Sequence, residues 1–175
     1  MKKNLPYLLI ILCGLVYIPS LNNPFLWDDA VALRDNPFIG GQARIKAGDF
    51  FSKNYFSVSK ETTYRPVATA LYYLTGLVSG KNPAGYRAVN MILNIAAGIL
   101  VMILASRFFG SAAGLFAGLL FTAHPIHSET VFIASFSEDI LMTVFLLAAF
   151  LLYMDYREKR EAESGKREGE KNETS

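Results

Sequence analysis

Two adjacent carboxylates, Asp28 and Asp29, stand in "NPFLWDDAV" (residues 23–31), and both histidines of the chain, His124 and His127, stand in "HPIHSE" (124–129). Arg65 precedes the run "PVATALYYL", and Glu129, Glu138 and Asp139 follow the histidines. A carboxylate can take the proton from an acceptor hydroxyl as a general base. Arginine and histidine can receive a departing phosphate through charge-assisted hydrogen bonds. A sugar that leaves a phosphate passes through an oxocarbenium-like state, which a second carboxylate steadies. These residue types therefore suit glycosyl transfer from a lipid phosphate. Metal binding is the alternative, since His124-x-x-His127 with Glu129 supplies ligands suited to zinc or another divalent ion. Pro125 between the histidines predicts a turn or a helix entry there. Lys46, Lys53 and Lys60 read as ordinary solvated loop charges.

The elements that must position these groups are apolar. The 175 residues are 52% hydrophobic and 13% aromatic with a net charge of +2, a composition that points to a membrane protein rather than a soluble domain. Nothing in it suggests a nucleic-acid partner. Cys13 is the sole cysteine, which excludes an intramolecular disulfide and any multi-cysteine metal site. The tail, 157–175, is dense in both charge signs and nearly free of apolar residues, so it reads as a solvated, partly helical cytoplasmic segment. Its "NET" at Asn172 fits a glycosylation sequon by chance only.

The N-terminus has a basic start and an apolar run of about 17 residues. A cleaved signal peptide is the rival reading, but no small-x-small site follows, and Leu12 before Cys13 is too large for a lipoprotein signal. A retained span near 5–21 is expected, with further spans near 86–106, 110–124 and 139–155. Gly110, Gly114 and Gly118 recur every fourth residue and predict one small-residue face for close helix packing. Asn90 and Asn94 share a face and read as interhelical glue. Residues 66–78 are too short to cross: about 13 residues rise roughly 20 Å against a core of about 30 Å. A juxtamembrane amphipathic helix with its tyrosines at the headgroups fits them better.

The expected fold is thus an all-α membrane protein with about four transmembrane helices and an outer first loop carrying amphipathic juxtamembrane helices. Lys2, Lys3, Arg107, Arg157, Lys159 and Arg160 then fall on one side, which the positive-inside rule makes cytoplasmic. Both termini are cytoplasmic in this topology. It gathers Asp28, Asp29, Arg65, His124, His127, Glu129, Glu138 and Asp139 on the outer face, where clustered ionisable groups signal function.

Three stretches in order, "NPFLWDDAVALRDNPFI", "YRPVATALYYLTGLVSGKNPAGYRAVNMILN" and "GLFAGLLFTAHPIHSETVFIASFSEDIL", resemble the N-terminal membrane part of the transmembrane and tetratricopeptide-repeat O-mannosyltransferases and their bacterial relatives. These belong to the GT-C class of polyprenyl-phosphate-sugar glycosyltransferases. The resemblance covers roughly residues 5 to 156, one membrane module (1–156) ahead of the tail. It implies that Asp28 is the acceptor-activating base with Asp29 as its catalytic partner. It also implies that Arg65, His124, His127, Glu129 and Asp139 face the lipid phosphate and the sugar, mannose being one candidate. Membrane lipid, a polyprenyl-phosphate-linked sugar and a membrane or tetratricopeptide-repeat partner subunit are the partners it implies, in a bacterial inner membrane. No cofactor is certain, and a divalent metal stays open. Two departures stand out: Ser137 where relatives often carry an arginine, and Arg87 where a histidine is usual. Members have further spans and often repeats, and no repeat period is present here. The expectation is a truncated or split enzyme, with a non-catalytic membrane subunit as the alternative and a small His-based metal-binding protein as the third.

Overall fold

The computed structural model describes residues 5–39, 47–52 and 64–173 of the chain. Lys46, Lys53 and Lys60, expected to be solvated, lie outside the described residues. All regular structure among the described residues is helical.

Helix α1, Leu5–Tyr17, is an unbroken apolar run that passes into a 3-10 turn, Ile18–Asn22. Pro19 lacks the donor that would continue an α-helix, and the Ser20 hydroxyl closes the end by donating to the Tyr17 carbonyl at 2.6 Å. Helix α2, Pro66–Ser79, starts on a proline in its first turn and stops at Gly80, whose φ of 59° suits a glycine after a helix. Helix α3, Pro83–Ala123, opens on a stronger signal: the Asn82 side chain accepts from the Ala84 N–H at 3.0 Å, and Pro83 follows it. Helix α4, His127–Phe132, is short, and helix α5 runs from Ser137 to Glu173.

Helix α3 is broken at Gly110, where φ is 82° and ψ 169°, a conformation that is essentially glycine's alone. The chain folds back there into two antiparallel arms. The Asn94 amide donates to the Thr122 carbonyl at 3.0 Å, Gly98 lies against Gly118, and Met102 against Gly114. A Cβ on Gly118 would stand 2.9 Å from the Gly98 carbonyl, and one on Gly114 would stand 2.6 Å from that of Met102. Leu9 of α1, fully buried, fills the notch beside Gly98 and Gly118. The expected three-glycine face is therefore corrected. Gly114 and Gly118 make the close contact, while Gly110 is the hinge and leaves the face.

Among the described residues two helices are long and apolar enough to cross a membrane, Pro83–Ala123 and Ser137–Gly165, with α1 a shorter apolar helix beside them. Their large side chains are mostly exposed, among them Phe116, Leu120, Phe145, Leu146 and Leu152. A water-soluble domain seldom leaves so much contiguous apolar surface uncovered. Helix α1 packs on α3, α3 on α5, and α2 on α3. Cys13 is buried, with its thiol 3.8 Å from the Met91 carbonyl, in the packing role expected of it. Far from the candidate residues, Arg107 pairs with Asp155 at 2.5 Å and ties α3 to α5. The charged tail continues α5 as helix, with Arg157 and Glu161 paired one turn apart at 2.6 Å.

Candidate functional site

The acidic pair divides at the first look. Asp28 is exposed, and Asp29 is completely buried. Asp29 reaches back to accept from the Leu26 N–H at 2.9 Å, as the acid at the third position of a helix does for the residue that caps it. Its other oxygen accepts from the Ser135 N–H at 2.8 Å, across 106 residues of sequence. This side chain thereby fastens the Asp28 turn to the segment that follows α4. The turn itself is bent unusually: Trp27 has a φ of 42°, a left-handed conformation that a bulky residue rarely holds. Strain of that kind persists only where neighbours over-determine it.

Arg87 is the neighbour that does so. It begins the second turn of α3 and is fully buried, with its guanidinium donating to the carbonyls of Asn23, Pro24 and Phe132. One of its nitrogens lies 3.8 Å from Asp29. A buried cation with three carbonyl acceptors and a facing carboxylate is satisfied; remove one partner and the others are stranded. Asn90, one turn along, donates to the Thr130 and Ile133 carbonyls at 3.1 and 3.0 Å and accepts from the Ser137 hydroxyl. The two places where this chain departs from the pattern it resembles, Arg87 and Ser137, thus lie in one network.

The other candidates gather around that network at the same end of the bundle. His124 ends the second arm of α3, and Pro125 makes the predicted turn, in which the Ile126 N–H donates to His124 Nδ1 at 3.2 Å. The His127 ring packs against Phe121 with centroids 4.3 Å apart. Burial holds its imidazole below the usual value, and the His124 ring beside it acts in the same direction. Glu129 is exposed on α4 and lines a groove of about 420 Å³ with Leu26, Trp27 and Ser128. Asp139 is exposed at the start of α5 and borders a smaller cleft with His127 and Asn94. Arg65, at the start of α2, pairs with Glu138. Glu138 also accepts from the Tyr72 hydroxyl at 2.6 Å, and the same hydroxyl donates to the Ser135 carbonyl. Burial, then the Glu138 charge, pushes the Tyr72 phenol well up, so it stays a donor.

The metal reading finds little to rest on. His124 and His127 have ring centroids 6.4 Å apart, and no three His, Cys, Asp or Glu side chains converge among the described residues.

Sequence reasoning named Asp28, Asp29, Arg65 and the histidines but missed Arg87, Tyr72 and the Ser135 N–H as their partners. Arg87 carried a signal: an arginine inside an otherwise apolar segment demands a counter-charge. Tyr72 and Ser135 carried none, because a tyrosine at a membrane edge and a backbone amide look alike in any sequence.

Residues 63–164 match the family described as dolichyl-phosphate-mannose-protein mannosyltransferase. The chain is 31% identical over 160 residues to the protein O-mannosyl-transferase F38B6.6 of Caenorhabditis elegans, covering 86% of this chain and 23% of that one. It is 30% identical over 140 residues to human protein O-mannosyl-transferase TMTC3, covering 78% and 15%. With Drosophila melanogaster Tmtc2 it shares 30% identity over 169 residues, covering 92% and 18%, enough of this chain to include Asp28 and Asp29. The chain spans less than a quarter of the length of each of these curated relatives. No solved structure matches it.

Proposed function

We propose a function from one premise: the chain belongs to the dolichyl-phosphate-mannose-protein mannosyltransferase family. It is a membrane glycosyltransferase module that transfers a hexose, mannose foremost, from a polyprenyl-phosphate carrier to a protein hydroxyl, as part of a longer or split enzyme. Helix α1, the two arms of α3 and the apolar part of α5 are its four spans, with α2 lying along the interface and both termini cytoplasmic. The candidate residues then share the outer face.

The chemistry assigns each group a task. Asp28 takes the proton from the acceptor hydroxyl as its oxygen attacks the anomeric carbon. The bond from that carbon to the phosphate oxygen breaks, and the electron pair stays on the phosphate. Arg65, His124 and His127 receive the charge that builds there. Glu129 and Asp139 hold sugar hydroxyls and steady the oxocarbenium-like carbon. Asp29 takes no proton in this scheme; it positions its neighbour.

One observation carries the reading. An exposed carboxylate stands on a strained turn that is pinned, through Asp29, to the segment carrying the rest of the cluster. The test is Asp28→Asn in membranes where the chain supports sugar transfer. Transfer is expected to drop by about 100-fold or more, with helicity unchanged by circular dichroism. Undiminished transfer would remove Asp28 as the base.

A further inference from the structure

Trp27 holds a left-handed backbone, with a φ of 42°, yet its side chain is 78% exposed. A bulky residue is strained there, and no burial of the indole inside the protein offsets that strain. Such outliers persist where they serve a site. The indole forms one wall of the groove of about 420 Å³ together with Leu26, and Ser128, Glu129, Phe132 and Ile133 form the other. Both walls are fixed from behind. Asp29 holds the Leu26 N–H at 2.9 Å. Arg87 donates to the Phe132 carbonyl at 2.6 Å, and Asn90 donates to that of Ile133 at 3.0 Å. The groove is therefore preformed, which spares a ligand the cost of ordering it.

The six residues of α4 rise roughly 9 Å, room for about three residues of extended chain. A hydrocarbon tail would want an apolar wall throughout, whereas this one interleaves Ser128 and Glu129 with Phe132 and Ile133. The Ser128 hydroxyl and the Glu129 and Asp28 carboxylates have no partner among the described residues. Free hydrogen-bonding groups beside an aromatic platform suit a peptide. We propose that this groove is the subsite for the acceptor protein: it takes a short extended segment whose serine or threonine lies at Asp28, and whose aromatic side chain two positions away stacks on Trp27. This deepens the function proposed above and rests on it for Asp28 as the base. Alternate side chains of an extended segment share a face, so one aromatic contact sets the register of the hydroxyl. The contact falls on the residue next to the base, and the strained turn keeps that indole out of the core and over the groove. Asp28 and Glu129 make the rim anionic, which turns away segments with acidic neighbours.

The test uses the full chain in phosphatidylcholine nanodiscs and a blocked peptide, Ala-Phe-Ala-Thr-Ala, with the sole tryptophan as the reporter. Trp27 emission is expected to shift to the blue and its anisotropy to rise, saturably, as the peptide is added. Alanine in place of the phenylalanine should weaken binding about tenfold, and glutamate there should abolish it. In membranes where the chain supports transfer, Trp27→Ala should raise the peptide KM about tenfold with a far smaller change in kcat. Trp27→Tyr should restore most of the loss. Equal binding of the three peptides, a KM indifferent to Trp27→Ala, or a Trp27 signal that answers only to the lipid composition of the disc would overturn the proposal. The last result would make Trp27 a membrane anchor. The two readings fail separately. Peptide selectivity intact with transfer that survives Asp28→Asn would sink the catalytic assignment alone. Asp28-dependent transfer with no preference among the peptides would sink the acceptor groove alone.

Discussion

Adjacent aspartates invite a shared role, and burial separates them. Asp28 faces solvent, while Asp29 spends both oxygens on backbone donors and faces Arg87. Breaking a buried charge network by removing one partner costs about 3–5 kcal/mol, so Arg87→Met should destabilise the chain by that order. Trp27 is the sole tryptophan and sits beside Asp28, which makes its fluorescence a direct report on the turn. Its anisotropy is expected to fall in Arg87→Met and to recover only partly in Arg87→Lys, which keeps the charge but not the fork that reaches three carbonyls. An unchanged anisotropy in Arg87→Met would mean that the turn stands without this anchor. His127 gives a pH prediction. Its folded pKa is lowered below 6.5, so the unfolded chain binds the proton more readily. The stability it contributes is present above pH 6.5 and is lost as pH falls through the folded value. The thermal midpoint should decline over that window, and His127→Gln should flatten the decline.

Helix α3 carries the lesson of the next scale. Its two arms approach so closely that an added methyl on Gly118 meets the Gly98 carbonyl and the Met102 Cβ, each at 2.9 Å. Gly118→Val is therefore expected to cost about 1–3 kcal/mol through overpacking. A disulfide between cysteines placed at Asn94 and Thr122, whose residues hydrogen-bond across the arms, should form readily in the parent and slowly in this variant. Equal rates would show that the arms tolerate separation. The extent of α2 was legible in advance: residues 66–78 were expected as a helix, and Pro66–Ser79 is one. The glycine repeat was legible only in part. Spacing cannot distinguish a glycine that permits contact from one that permits a reversal, because both are unremarkable every fourth residue; φ decides it.

At the scale of the whole molecule the polar network and the apolar flanks occupy different places. Tyr17, Arg87, the 124–138 segment and α2 meet at one end, while Arg107 and Asp155 pair far from it. Between them the helices present bare apolar surface. In a bilayer that surface needs no protein cover, since lipid tails are as apolar as leucine. This division makes the candidate site a cap on a bundle, held by hydrogen bonds across long sequence separations rather than by a local motif.

The sequence by itself determined the helical character, the apolar runs and some of the breaks. Pro66 and Pro125 act on their own backbone, and their effect needs no distant partner, whereas the breaks after Tyr17 and at Gly110 show only in the folded chain. The sequence also carried the family, through short motifs kept in order. Only the tertiary structure decided which aspartate is buried, what Arg87 holds, and that Arg65 shares Glu138 with Tyr72. Those are pairings between residues from 45 to 106 positions apart, and a chain's local preferences do not specify which distant donor a buried carboxylate will meet. That is settled when the helices pack and every stranded polar group must find a partner.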